Sequence, residues 1–191
     1  ALLSLEPNSK KLIMLDFYSD GWGACVRLDA ETFTVPEVIE FSRSNLISIK
    51  LKPWEDDKAS KLFDGYSGQA IPLLVFLNSD GEEVDRILGF YAPDEYLSMV
   101  VDIYNGVDTY LSLKSQYQSG DYSPIILSKL SDKCQSNHDP QFCEQVYTKI
   151  VSLKDQLNNQ TLTSANLFFA KKDLDKGSTK LMLDLISSSK D

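Results

Sequence analysis

Asp16-Phe17-Tyr18-Ser19-Asp20-Gly21-Trp22-Gly23-Ala24-Cys25 joins an apolar run of strand length to a helix-forming segment. The run itself, Lys11 to Phe17 (KLIMLDF), reads as a buried strand, and the polar, glycine-containing residues after it break that pattern. Farther on, Arg27 to Phe41 reads as helix, interrupted near Val35-Pro36 because proline cannot continue an interior hydrogen-bond ladder. Asn45 to Leu51 alternates apolar with polar residues, the pattern of a half-buried strand, and Asp56 to Phe63 is a short amphipathic helix ending at Gly65. Leu73 to Leu77 (LLVFL) reads as a fully buried strand. Asn78-Ser79-Asp80-Gly81 is its tight turn, and Glu83 to Phe90 the antiparallel partner. Pro93 to Asn105 closes the series as a helix with Pro93 in its first turn, Gly106 at its end and an apolar stripe of Tyr96, Leu97, Val100, Val101 and Tyr104. The order β-α-β-α-β-β-α predicts an α/β sheet with an antiparallel edge.

The segment from Asp16 to Cys25 resembles the thioredoxin superfamily pattern D-F-W-A-x-W-C-G-x-C, with Asp16, Phe17, Gly23 and Cys25 on matching positions. Arg27-Leu28-Asp29-Ala30-Glu31-Thr32-Phe33 and then Pro36-Glu37-Val38 resemble the continuation found in the bacterial thioredoxin-like branch. Ile71-Pro72 stands where that superfamily has its cis-proline, and Gly89-Phe90 matches the glycine after the last strand. The resemblance covers about 90 residues and implies a thioredoxin fold over residues 1–106.

One departure bears on chemistry. In this superfamily the first cysteine of the motif is the exposed nucleophile and the second resolves the mixed disulfide. Here Trp22 takes the first position and only Cys25 remains, so the site cannot cycle between dithiol and intramolecular disulfide. The resemblance implies that Asp16 is buried near Cys25, where a carboxylate disfavours the thiolate; alternatively Asp16 is an inert, hydrogen-bonded core group. Trp22, Gly23, Ala24, Ile71 and Pro72 would line a shallow groove in which the backbone before Pro72 pairs with an extended peptide. Trp22 folded down as a plug over Cys25 is the other reading.

Beyond Gly106 the character changes. Helices are expected near 107–119, 123–135, 140–157, 162–171 and 177–188, with Asn158–Ser164 (NNQTLTS) as a flexible link. Residues 107–191 thus read as an all-α helix-hairpin extension, expected to dock tightly on the first domain. Cys134 and Cys143 flank a turn in this half, and two helices of a hairpin can bring their Cα atoms within the roughly 4.4–6.8 Å that a disulfide spans. A disulfide is expected in an exported protein, and buried thiols in a reducing cytosol. Asn159-Gln160-Thr161 fits the glycosylation sequon, a short pattern with many chance matches.

Composition narrows the partners. The net charge is −9, with 9 Lys/Arg against 15 Asp/Glu in residues 1–92 and 10 against 13 in 93–191, so neither half offers a basic footprint for nucleic acid or an anionic membrane. No apolar stretch approaches the roughly 20 residues of a membrane span. The single histidine, His138, leaves too few nitrogen ligands for a metal site and reads as a surface-loop residue; no cofactor is expected. The chain opens at Ala1, which accords with a removed export signal; the expected location is periplasmic or secreted, the alternative cytoplasmic. Two functions stand side by side: a redox-silent module binding a protein or peptide, and a thiol-disulfide exchange enzyme forming mixed disulfides through Cys25 with Asp16 beside it.

Overall fold

The computed structural model of this chain describes residues 11–136, 139–153, 155, 157 and 159–175. They fall into two compact units that divide between Ser115 and Gln116. The first is built on a four-stranded sheet of order β2-β1-β3-β4, from β1 (Leu12–Phe17), β2 (Leu46–Leu51), β3 (Leu73–Leu77) and β4 (Glu83–Leu88). β1 and β2 are parallel, β3 runs antiparallel to β1, and β4 antiparallel to β3. Every residue of β3 is buried, as its unbroken apolar run requires at the centre of a sheet, whereas edge strand β2 is mostly half-buried or exposed.

Between the strands lie α1 (Gly23–Arg27), continued by a π-helical turn over Leu28–Thr32, then α2 (Pro36–Asn45), α3 (Asp57–Gly65) and α4 (Pro93–Asn105). The first helix starts at Gly23, four residues before the reading at Arg27, because the turn after β1 is shorter than its polar composition suggests. The break expected at Val35-Pro36 is present: Val35 is extended and Pro36 opens α2. Asp56 caps α3 by accepting from the amides of Lys58 and Ala59. Gly106, at φ 72°, ends α4 in the left-handed conformation that a side chain would strain.

Two apolar layers sandwich the sheet. On one face Met14, Leu74, Phe76 and Ile87 meet Leu28, Val38, Tyr96, Val100 and Ile103. On the other Leu15, Phe17, Leu73 and Val75 meet Cys25, Phe63 and Ile71. The alternation of these sets along β1 and β3 is the two-residue period of a strand. The buried face of α4 is Tyr96, Val100 and Ile103, while Leu97, Val101 and Tyr104 flank it half-buried; the stripe read from sequence is thus rotated toward Ile103.

α5 (Tyr110–Gln118) begins in the first unit. The units divide at Ser115, nine residues past the boundary read at Gly106, since the Tyr110 amide donates to the buried Asp85 carboxylate and Leu111 packs against the first apolar layer. In the second unit α6 (Pro124–Gln135) and α7 (Pro140–Ser152) are joined by a disulfide between Cys134 and Cys143, Cα atoms 5.6 Å apart, and α8 (Asn159–Asp175) follows. The link expected at Asn158–Ser164 is helical from Asn159 onward. The helix read at 177–188 and the His138 loop lie outside the described residues.

Candidate functional site

The C-terminal ends of β1 and β2 carry the site. Phe17 and Leu51 are register partners there, and the Tyr18 amide donates to the Leu51 carbonyl at 3.0 Å. The chain then turns through Ser19 to Gly21, and Trp22 becomes the N-cap residue of α1. Its carbonyl accepts from Val26, so the indole stands at the mouth of the helix, 56% exposed. A plug over Cys25 would be buried; this side chain faces water.

Cys25 is 3% exposed and belongs to the apolar layer of Phe17, Phe63 and Ile71. Burial pushes its thiol above the ordinary value, the Asp16 and Asp29 charges push the same way, and a hydrogen bond from the Ser19 main chain opposes them. Desolvation, more than the carboxylate singled out from sequence, keeps the sulfur protonated.

Asp16 is 2% exposed on the opposite face of β1. Burial raises its pKa to about 6, although the Lys50 ammonium 3.6 Å away pulls it down. Lys50 sits closer to Asp29, at 2.6 Å, and over the Tyr18 ring at 4.2 Å. Asp16 Oδ1 has no hydrogen-bond partner, so the inert, hydrogen-bonded core group considered from sequence is only partly realised.

The peptide bond between Ile71 and Pro72 is cis. Pro72 is buried and its carbonyl accepts from Gly89, which joins this loop to the end of β4. Ile71, 7% exposed, shares the apolar layer with Cys25, and among the described residues its main-chain N–H and C=O make no hydrogen bond. Gly68 sets the approach to this loop: a Cβ there would come within 2.4 Å of the Phe63 ring. Arg27 lies over the Phe90 ring at 3.9 Å, linking α1 to the loop after β4. Gly23 and Ala24 form the first turn of α1, Gly23 exposed and Ala24 half-buried.

Three residues at this end escaped the sequence reading. Lys50 could have been found from the β1–β2 register, which sets it opposite Asp16. Lys52, paired with Asp20 at 2.5 Å and Glu55 at 3.2 Å, and Trp54, 67% exposed, sit in a loop whose composition carries no signal of its own. Elsewhere the sequon opens α8, with Asn159 itself exposed. Its Thr161 is 3% exposed inside α8, with its hydroxyl bonded to Ser128 at 3.1 Å. Among the described residues, no group of three His, Cys, Asp or Glu could hold a metal, and no helix is long and apolar enough to cross a membrane.

A family profile for the thioredoxin-like domain matches residues 1–103. The thiol:disulfide interchange protein DsbD of Photorhabdus laumondii is 31% identical over 88 residues, covering 45% of this chain and 15% of that much longer protein. Among solved structures, the oxidised C-terminal domain of Neisseria meningitidis DsbD is similar, with 24% identity, a TM-score of 0.43 and 50% and 82% of the two chains covered. A thioredoxin from Thermus thermophilus gives 20% identity, a TM-score of 0.42 and 49% and 73%. With more than half of its length matched and the β-α-β-α-β-β-α order in place, this chain belongs to the thioredoxin-like domain family, followed by a C-terminal helical region.

Proposed function

We propose that the thioredoxin-like unit is a redox-silent module that binds an extended protein or peptide segment. One observation carries the reading: an exposed indole occupies the position of the attacking sulfur, while the remaining thiol, Cys25, is buried and held protonated. Thiolate is the nucleophilic form, so both changes oppose exchange chemistry. The main chain of Ile71, without a hydrogen bond among the described residues and in the same apolar layer as Cys25, offers what an extended segment needs, a hydrogen-bonding edge. The Cys134–Cys143 disulfide supports a periplasmic or secreted location.

A second reading keeps Cys25 as a reactive thiol forming mixed disulfides with a partner. It is favoured by the similarity to a protein named for thiol:disulfide interchange. Alkylation separates the two: the binding reading expects Cys25 to label in the native state far more slowly than a free cysteine, and at the ordinary rate once unfolded. Fast native labelling would overturn it in favour of exchange.

A further inference from the structure

Both tryptophans of the chain, Trp22 and Trp54, are more than half exposed. Large aromatic side chains are seldom left so open without a partner to cover them. Both lie just past the register-matched ends of β1 and β2, Trp22 five residues beyond Phe17 and Trp54 three beyond Leu51. Lys52 ties the two loops together, with its ammonium on Asp20 of the first and Glu55 of the second. Trp54 is positioned rather than loose. Its ring meets Phe63 edge-on at 5.9 Å, and Phe63 in turn meets Phe17 at 5.4 Å. Val26 on α1 and Leu62 on α3 add exposed apolar surface on the helices that follow these loops.

The charge around the indoles has one sign in excess. Asp20 and Glu55 share the single Lys52 in these two loops, and Asp56 and Asp57 at the start of α3 stand against Lys58, on a chain of net charge −9. An anionic segment would be repelled here. A cationic one gains both the acidic field and the electron-rich indole faces, over which Lys and Arg stack favourably.

We propose that Trp22 and Trp54 form a two-indole surface for an extended peptide bearing Lys or Arg beside apolar residues. The proposal rests on the peptide-binding reading above and assigns its partner class; Ile71 supplies the hydrogen-bonding edge, and the acidic loops select the charge.

The test is a titration of the full chain, followed by tryptophan emission and calorimetry, with two short unstructured peptides that share apolar residues and differ only in Lys against Glu. The Lys peptide is expected to shift the emission and to bind about tenfold more tightly than the Glu peptide at low salt, a preference that shrinks as salt is added. Trp54→Ala should weaken the Lys peptide about fivefold. Asp57→Lys, at an exposed side chain in the first turn of α3, should erode the preference while leaving the Lys52 ties to Asp20 and Glu55 in place. Binding of neither peptide sinks the peptide-binding reading and this proposal with it. Equal binding of both leaves that reading standing and overturns the cationic partner. Selective binding indifferent to both substitutions overturns the two-indole surface.

Discussion

Asp16 and Lys50 face each other across the parallel strands β1 and β2, and the Lys50 ammonium lies 3.6 Å from the buried Asp16 carboxylate but only 2.6 Å from Asp29. The cation is shared, and the nearer, half-exposed carboxylate takes the hydrogen bonds. Asp16 keeps one oxygen without a donor. Burial therefore outweighs pairing, and its pKa rises to about 6 where an ion-paired aspartate would fall.

That shift fixes the sign of a pH effect. The folded protein holds the Asp16 proton to a higher pH than the unfolded chain, so stability falls as pH rises from about 4 through about 6. Asp16→Asn removes this cost. Urea unfolding should show the variant more stable by about 2–3 kcal/mol at pH 7, and by progressively less toward pH 4. A difference that does not change with pH would mean that Asp16 is ionised at no net cost.

The same substitution reads the thiol. The Asp16 charge is a lesser cause of the raised Cys25 pKa, behind burial. Asp16→Asn should therefore move the pH midpoint of Cys25 alkylation downward yet leave it above that of a free cysteine. An unchanged midpoint would show that the carboxylate on the other face of β1 does not reach the sulfur. A fall to the free-cysteine value would show that burial is not the main cause.

In the helical unit, Cys134 and Cys143 close a loop of nine residues' separation. A loop of that size gives about 2.5 kcal/mol in the chain-entropy model. Paired Cys134→Ser and Cys143→Ser changes should lower the stability of residues 116–191 by about that amount. Mass spectrometry of unreduced, denatured protein should show one alkylated thiol, Cys25, and three after reduction. Three before reduction would place the native protein in a reducing compartment.

Much of this was legible from residue order alone. The strands and the hairpin were written in apolar runs and turn residues, since burial at a sheet centre leaves little choice at Leu73–Leu77. The start of α1 was not, because Gly23 and Ala24 carry no periodic signal and the helix there is fixed by the turn after β1. Trp22 and Cys25 could be singled out by spacing, but not their exposure, which depends on whether the rings of neighbouring loops cover them. Lys52 and Trp54 were invisible for the same reason: their place at the same end of the sheet as Trp22 follows from strand register, a long-range property. Thr161 shows the converse, a residue singled out by a local motif whose side chain tertiary packing buries against Ser128.

The sharpest consequence of Trp22 concerns the missing sulfur. The native chain is expected to give no turnover in thiol-coupled insulin reduction, and Cys25→Ser should leave that blank unchanged. Trp22→Cys restores a sulfur at the N-cap of α1, one helical turn before Cys25 and on a side chain that faces water. The two thiols then lie at the first and fourth positions of a C-x-x-C motif, where the exposed one attacks and the buried one resolves. Insulin reduction by Trp22→Cys should rise measurably above the native blank and vanish again in Trp22→Cys/Cys25→Ser, because the mixed disulfide would have no resolving thiol. The rate should stay below that of an ordinary thioredoxin, since Cys25 remains buried and protonated. Turnover by the native chain that survives Cys25→Ser would locate a redox centre elsewhere, with the Cys134–Cys143 pair the first to examine. If Trp22→Cys folds but stays inert, the pocket around Ile71 and Pro72 no longer accepts a disulfide substrate, and the loss of function is deeper than one residue.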